Sequence, residues 1–142
     1  MADSDAEEAG QMSSVLDLNA RSPELRTVRA WVNEVLTDLG NDDRDACVLV
    51  VNELVSNAFD HAGGPHRVRL RWSSGSCIVR VEVDDASPAA PALGPSQLGS
   101  SRGRGLVIVE RLSKDWGFDA RLESKTVWAE IACCLRRRGA LD

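Results

Sequence analysis

VVNELVSNAFDHAGGPHRVRL, residues 50–70, changes its period half-way. Up to His61 it completes an apolar set at Cys47, Val50, Val51, Leu54, Val55 and Ala58, one stripe of a helix that Asp42 or Asp43 can cap. Gly63-Gly64-Pro65 stops that helix. Apolar and polar residues then alternate from His66 to Trp72 and again from Cys77 to Asp84, across Ser73-Ser74-Gly75-Ser76. This pattern predicts a hairpin with Val68, Leu70, Val79, Val81 and Val83 facing inward.

Outward from this centre the signals continue. Towards the N-terminus, Ser22-Pro23-Glu24 supplies an N-cap, an N1 proline and a first-turn carboxylate to a helix carrying Leu25, Val28, Trp31, Val35, Leu36 and Leu39 before Gly40. Ser14 to Asn19 alternates as a short edge strand. Towards the C-terminus, Ala86–Arg102 holds three prolines and two glycines, is longer than an ordinary connection, and reads as a lid or binding loop. Gly103–Ser113 is helical in spacing, and Trp116–Leu122 and Thr126–Leu135 alternate. The strands group in hairpins without βαβ crossovers, which predicts an α+β two-layer sandwich, its mixed or antiparallel sheet carrying helices on one face.

The 142 residues suit one domain, expected over 14–136, between a disordered acidic tail at 1–13 and a short tail at 137–142. A net charge of −5 and a pI near 5.1 disfavour a direct nucleic-acid partner, despite Arg136-Arg137-Arg138. No apolar run is long enough for a membrane span, and the acidic N-terminus has no signal-peptide core, so a cytoplasmic protein is expected. Cys47, Cys77, Cys133 and Cys134 contain no CxxC, and with His61 and His66 they show no metal-ligand spacing. They read as reduced small hydrophobes, His61 as a helix-end hydrogen-bonding residue, and the four tryptophans as packing residues.

Three constellations can carry chemistry. Glu53 and Asn57 stand at i and i+4, opposite the apolar stripe, where a carboxylate can take a proton and a carboxamide oxygen can hold a hard cation; a solvated helix face gives the same pair. Asp84-Asp85-Ala86-Ser87 ends an apolar strand at the mouth of the long loop, where a buried carboxylate can accept from an exocyclic amine; a turn cap is the plainer alternative. Arg102-Gly103-Arg104-Gly105-Leu106 brings glycines and arginines to a helix start, a setting for phosphate. It is neither a Rossmann fingerprint nor a Walker A loop, since no third glycine and no following lysine are present.

Together these motifs resemble the GHKL ATPase superfamily and its Bergerat-type ATP-binding fold over about residues 15–135. NELVSNAFDHA (52–62) is similar to the N-box, VDDAS (83–87) to the G1 region, GRGL (103–106) to the G2 box, and KTVWAEI (125–131) to the terminal strand. Within the superfamily the combination is most similar to the anti-sigma-factor serine/threonine kinases and their actinobacterial relatives.

The resemblance implies ATP and Mg²⁺, with Glu53 as general base, Asn57 as Mg²⁺ ligand and Asp85 as adenine reader. Ser87, Arg102, Gly103, Arg104, Gly105, Leu106 and Thr126 complete the implied nucleotide site. Ser87 replaces a frequent glycine, and Ser124 stands where relatives often have another. The implied partners are a sigma factor and a phosphorylatable antagonist, and the implied assembly is a homodimer. The alternative is a nucleotide-binding interaction module that regulates a partner without phosphorylating it. A plain ATPase is a third reading. A sensor histidine kinase or a gyrase-like machine would need further domains than 142 residues hold.

Overall fold

The computed structural model describes residues 11–18, 25–61, 65–73, 78–91 and 101–133. They form strand β1 (Gln11–Asp17), helices α1 (Leu25–Val35) and α2 (Asn41–His61), strands β2 (Pro65–Ser73) and β3 (Ile78–Asp85), helix α3 (Ser101–Leu112), and strands β4 (Asp115–Ala120) and β5 (Lys125–Ala132). The strands make one sheet in the order β1-β2-β3-β5-β4, with every neighbouring pair antiparallel. The helices pack over one face of it, α2 lying against β2, β3 and β5 and flanked by α1 and α3. This is the expected α+β two-layer sandwich.

Strand alternation sorts side chains between the two faces. Val68, Leu70, Val79, Val81 and Val83 are all buried, as the hairpin pattern predicts, and they meet Val127, Ala129 and Ile131 of β5 in the core. From the helices come Val28 and Val32 of α1, Cys47, Val50, Val51, Leu54 and Val55 of α2, and Val109 of α3. Trp31, Trp72 and Trp116 pack against the edge of this core. Trp128 does not. It lies on the outer face of the sheet, where the Arg80 guanidinium stacks 4.4 Å from its ring centre. A side chain at Gly117 would bring its Cβ to 2.9 Å from the Trp128 ring, so glycine there leaves room for the indole.

Several boundaries differ from expectation. β1 begins at Gln11, so residues 11–13, assigned from composition to the tail, pair with Ser73, Trp72 and Arg71. Backbone pairing extends an edge strand without needing apolar side chains. α1 ends at Val35, and Arg44 closes the turn that follows by donating to the Leu39 carbonyl at 2.9 Å. α3 starts at Ser101 rather than Gly103. The expected cap at Ser22, both chain tails from 1 to 10 and from 134 to 142, Cys77, Cys134 and residues 92–100 of the long loop lie outside the described residues. No described helix is long and apolar enough to cross a membrane.

Candidate functional site

The last inward position of β3 is Asp85, and the first inward position of β5 is Lys125. The two strands pair Asp85 directly with Lys125, in phase with the valines that line the core. Asp85 is 1% and Lys125 2% exposed. Asp85 Oδ1 accepts hydrogen bonds from the Ser87 backbone N–H at 2.9 Å and from Lys125 Nζ at 3.2 Å. Nζ also stands 2.9 Å from Oδ2 as an ion pair, and Oδ2 has no other polar partner among the described residues. A second donor of the ammonium goes to the Ser87 carbonyl at 3.2 Å. Asp85 thus caps its own turn through one oxygen, and its other oxygen faces the Lys125 ammonium.

Ser87 is turned into the same loop, its Oγ accepting from the Ala89 N–H at 3.1 Å. Ser124 closes the opposite turn: its carbonyl accepts from the Arg121 N–H at 2.8 Å and its Oγ from Arg121 Nε at 3.2 Å.

Thr126, one residue on, faces away from Asp85. Its hydroxyl donates to Asp84 Oδ1 at 2.6 Å and accepts from Arg121 Nη2 at 2.8 Å. Arg69 grips the same Asp84 through both oxygens, at 2.8 and 3.0 Å, and reaches Glu82 Oε1 at 2.7 Å. Arg80 joins Glu82 to Glu130, at 2.7 and 3.0 Å. Burial works against ionisation of Glu82, but the bonds from Arg80 and Arg69 outweigh it and hold the carboxyl below the usual carboxylate range. Burial likewise opposes the charge on Asp84, and Arg69 and Thr126 overcome it. Arg69 is raised in return, chiefly by its bond to Asp84. This outer face is a network of mutually satisfied charges, and it absorbs Thr126.

Glu53 and Asn57 are half-buried on α2, at the border of its buried stripe rather than fully opposite it. Next to Glu53, the buried Asn52 Oδ1 accepts no hydrogen bond among the described residues, a polar group that the helical pattern does not single out. No set of three or more His, Cys, Asp or Glu among the described residues can hold a metal ion. A cation at Asn57 would therefore complete its shell with waters and phosphate oxygens, which is the habit of Mg²⁺. Residues 101–106, including Arg102, Gly103, Arg104, Gly105 and Leu106, have helical backbone at the start of α3, where the first N–H groups have no partner within the helix. Their side chains lie outside the described residues.

The structure therefore joins Asp85 with Ser87 and Lys125, and puts Thr126 on the other side of the sheet. Lys125 is the residue that sequence reasoning missed. Its signal is its phase with Val127, Ala129 and Ile131, which makes it an inward lysine.

Residues 18–131 match the family model of the histidine kinase-like ATPase domain, a stretch containing all the candidate residues. The chain belongs to the histidine kinase-like ATPase domain family. An uncharacterized protein of Streptomyces coelicolor, SCO4941, is 33% identical over 87 residues, covering 58% of this chain and 81% of that protein. The crystal structure of the RsbU and RsbW domains of Rv1364c from Mycobacterium tuberculosis is similar at TM-score 0.60 and 22% identity, over 86% of this chain. The chain spans about a third of that protein, 32%. The blue-light activated histidine kinase of Erythrobacter litoralis is similar at TM-score 0.52 and 21% identity, over 80% of this chain and 42% of the kinase. At these identities the two structures speak for the histidine kinase-like ATPase fold.

Proposed function

We propose that this histidine kinase-like ATPase domain binds Mg-ATP and acts as a protein serine/threonine kinase in an anti-sigma switch. The observation that carries the nucleotide part is Asp85, an acid buried to 1% exposure whose Oδ2 meets the Lys125 ammonium alone among the described residues and can accept from a further donor. Such an acceptor suits the exocyclic amine of adenine, which is a donor, and faces a carbonyl oxygen in guanine. Asn57 would hold Mg²⁺ against the phosphates, and Glu53 would take the proton of the attacking hydroxyl. The backbone N–H groups that open α3 suit phosphate oxygens.

The kinase and partner parts rest on the combined motifs at 52–62, 83–87, 103–106 and 125–131 and on likeness to a structure that includes an RsbW domain. In this reading the chain, as a homodimer, holds a sigma factor and phosphorylates a small antagonist on serine or threonine to control partner exchange. The competing reading is an interaction module in which ATP selects a partner-binding conformation without transfer. Mixing the chain with γ-labelled Mg-ATP and a panel of single-domain antagonist proteins separates them. Acid-stable phosphoserine or phosphothreonine on one antagonist supports the kinase. Complex formation with no labelled protein in any mixture replaces the kinase with the interaction module.

A further inference from the structure

We propose that Lys125 reads the base together with Asp85: its ammonium donates to the ring N1 of adenine while Asp85 Oδ2 accepts from the N6 amine. The inference rests on the reading of this site as a nucleotide site and deepens it by adding a specificity-determining residue.

The geometry supplies an acceptor and a donor side by side. The one polar partner of Asp85 Oδ2 among the described residues is Lys125 Nζ, 2.9 Å away, and a carboxylate oxygen can accept from a second donor as well. An ammonium has three N–H donors. One faces the Asp85 carboxylate, 3.2 Å from Oδ1 and 2.9 Å from Oδ2, and a second goes to the Ser87 carbonyl at 3.2 Å, so one remains. Adenine presents the complementary pair on its Watson–Crick edge, with the N6 donor next to the N1 acceptor. Guanine in the same orientation presents the reverse, O6 as acceptor against the carboxylate and N1–H as donor against the ammonium. Both contacts would then be repulsive, so the pair rejects guanine twice.

The pair is also held ready. Register sets Asp85 opposite Lys125, and the Ser87 N–H fixes the carboxylate through Oδ1, the oxygen the base does not use. The Asp85 and Lys125 side chains are 1% and 3% exposed, so a base reaches them by displacing the Ser87 carbonyl while the Ser87 N–H stays on Oδ1. That movement breaks the bond from Lys125 to the Ser87 carbonyl and frees a further donor at the place where N1 arrives. Thr126 cannot serve in this role, because its hydroxyl is engaged with Asp84 and Arg121 on the opposite face.

The test removes the acceptor from the ligand rather than from the protein. Mg-ATP and Mg-1-deaza-ATP, in which N1 is replaced by C–H, are titrated calorimetrically into the full chain, with 7-deaza-ATP as a control that keeps N1. Hydrogen bonds to charged groups are strong enough that the 1-deaza nucleotide should bind the wild type ~10–100-fold more weakly than ATP. In Lys125→Met the two nucleotides should bind alike, whatever the overall affinity. Equal binding of ATP and 1-deaza-ATP by the wild type, or undiminished discrimination in Lys125→Met, overturns the role of Lys125 and leaves the nucleotide site standing. Absence of ATP binding by the wild type overturns both readings. If Lys125→Met does not fold, the wild-type comparison decides alone.

Discussion

Replacing Lys125 by methionine keeps the length of the side chain and deletes its charge, leaving Asp85 as a buried anion held by one backbone N–H. Unit charges about 3 Å apart attract by roughly 5–6 kcal/mol at an effective dielectric near 20. The cost of removing both ions from water offsets most of this, so the intact pair adds little to stability, but deleting one partner typically costs ~3–5 kcal/mol. For a chain of this size that corresponds to a Tm lowered on the order of 10–15 °C. Asp85→Asn should cost a similar amount, since it strands the ammonium beside the Ser87 carbonyl. The double variant should be far less damaged than the sum, with a coupling of ~2 kcal/mol or more. Urea and thermal denaturation of the four proteins measure the cycle. A Lys125→Met protein that melts within a couple of degrees of wild type, or a cycle that is additive within ~0.5 kcal/mol, refutes the buried pair.

The two helix residues should fail differently: Glu53→Ala keeps Mg-ATP binding and loses transfer by ~10²–10⁴-fold, whereas Asn57→Ala loses the Mg²⁺-dependent part of binding, as calorimetry and phosphotransfer assays would show. Glu82 and Asp84 are held below the carboxylate range in the folded protein, so they stabilise it above the unfolded value near pH 4, and that contribution is lost as pH falls through their folded values. Arg69→Met should therefore cost ~2 kcal/mol at pH 7 and much less at pH 3 in urea titrations. Leu54→Ala, in the buried stripe of α2, should cost ~2–5 kcal/mol by the same measurement.

The stripe of α2 and the alternation of β2 and β3 were legible because burial there follows hydrophobicity. The valines and leucines of both elements are where their periods put them. Glu53, Asn57 and Asp85 could be picked out because each sits at a special place in such a pattern: an i, i+4 pair, or an acid ending an apolar run. Lys125 could not. A lysine placed before a strand that starts at Thr126 reads as surface, and its phase with Val127, Ala129 and Ile131 counts only once the strand is extended to pair it with Asp85. Starting β5 at Lys125 rather than Thr126 keeps each residue's phase but adds one inward position, which is the one that matters here. Thr126 and Trp128 share the outward phase, and their partners, Asp84, Arg121 and Arg80, come from other strands and turns that no local pattern connects. The start of β1 escaped for a different reason, since Gln11–Ser13 join the sheet through backbone pairing that composition does not encode.

In the proposed site, the acid at the end of β3 reads adenine. Calorimetric titration of the full chain with Mg-ATP and Mg-GTP, repeated on Asp85→Asn, decides whether it does. ATP should bind saturably at one site per chain, GTP should show no measurable binding, and Asp85→Asn should lose ATP affinity. Equal affinity for ATP and GTP, or wild-type ATP affinity in Asp85→Asn, would contradict it.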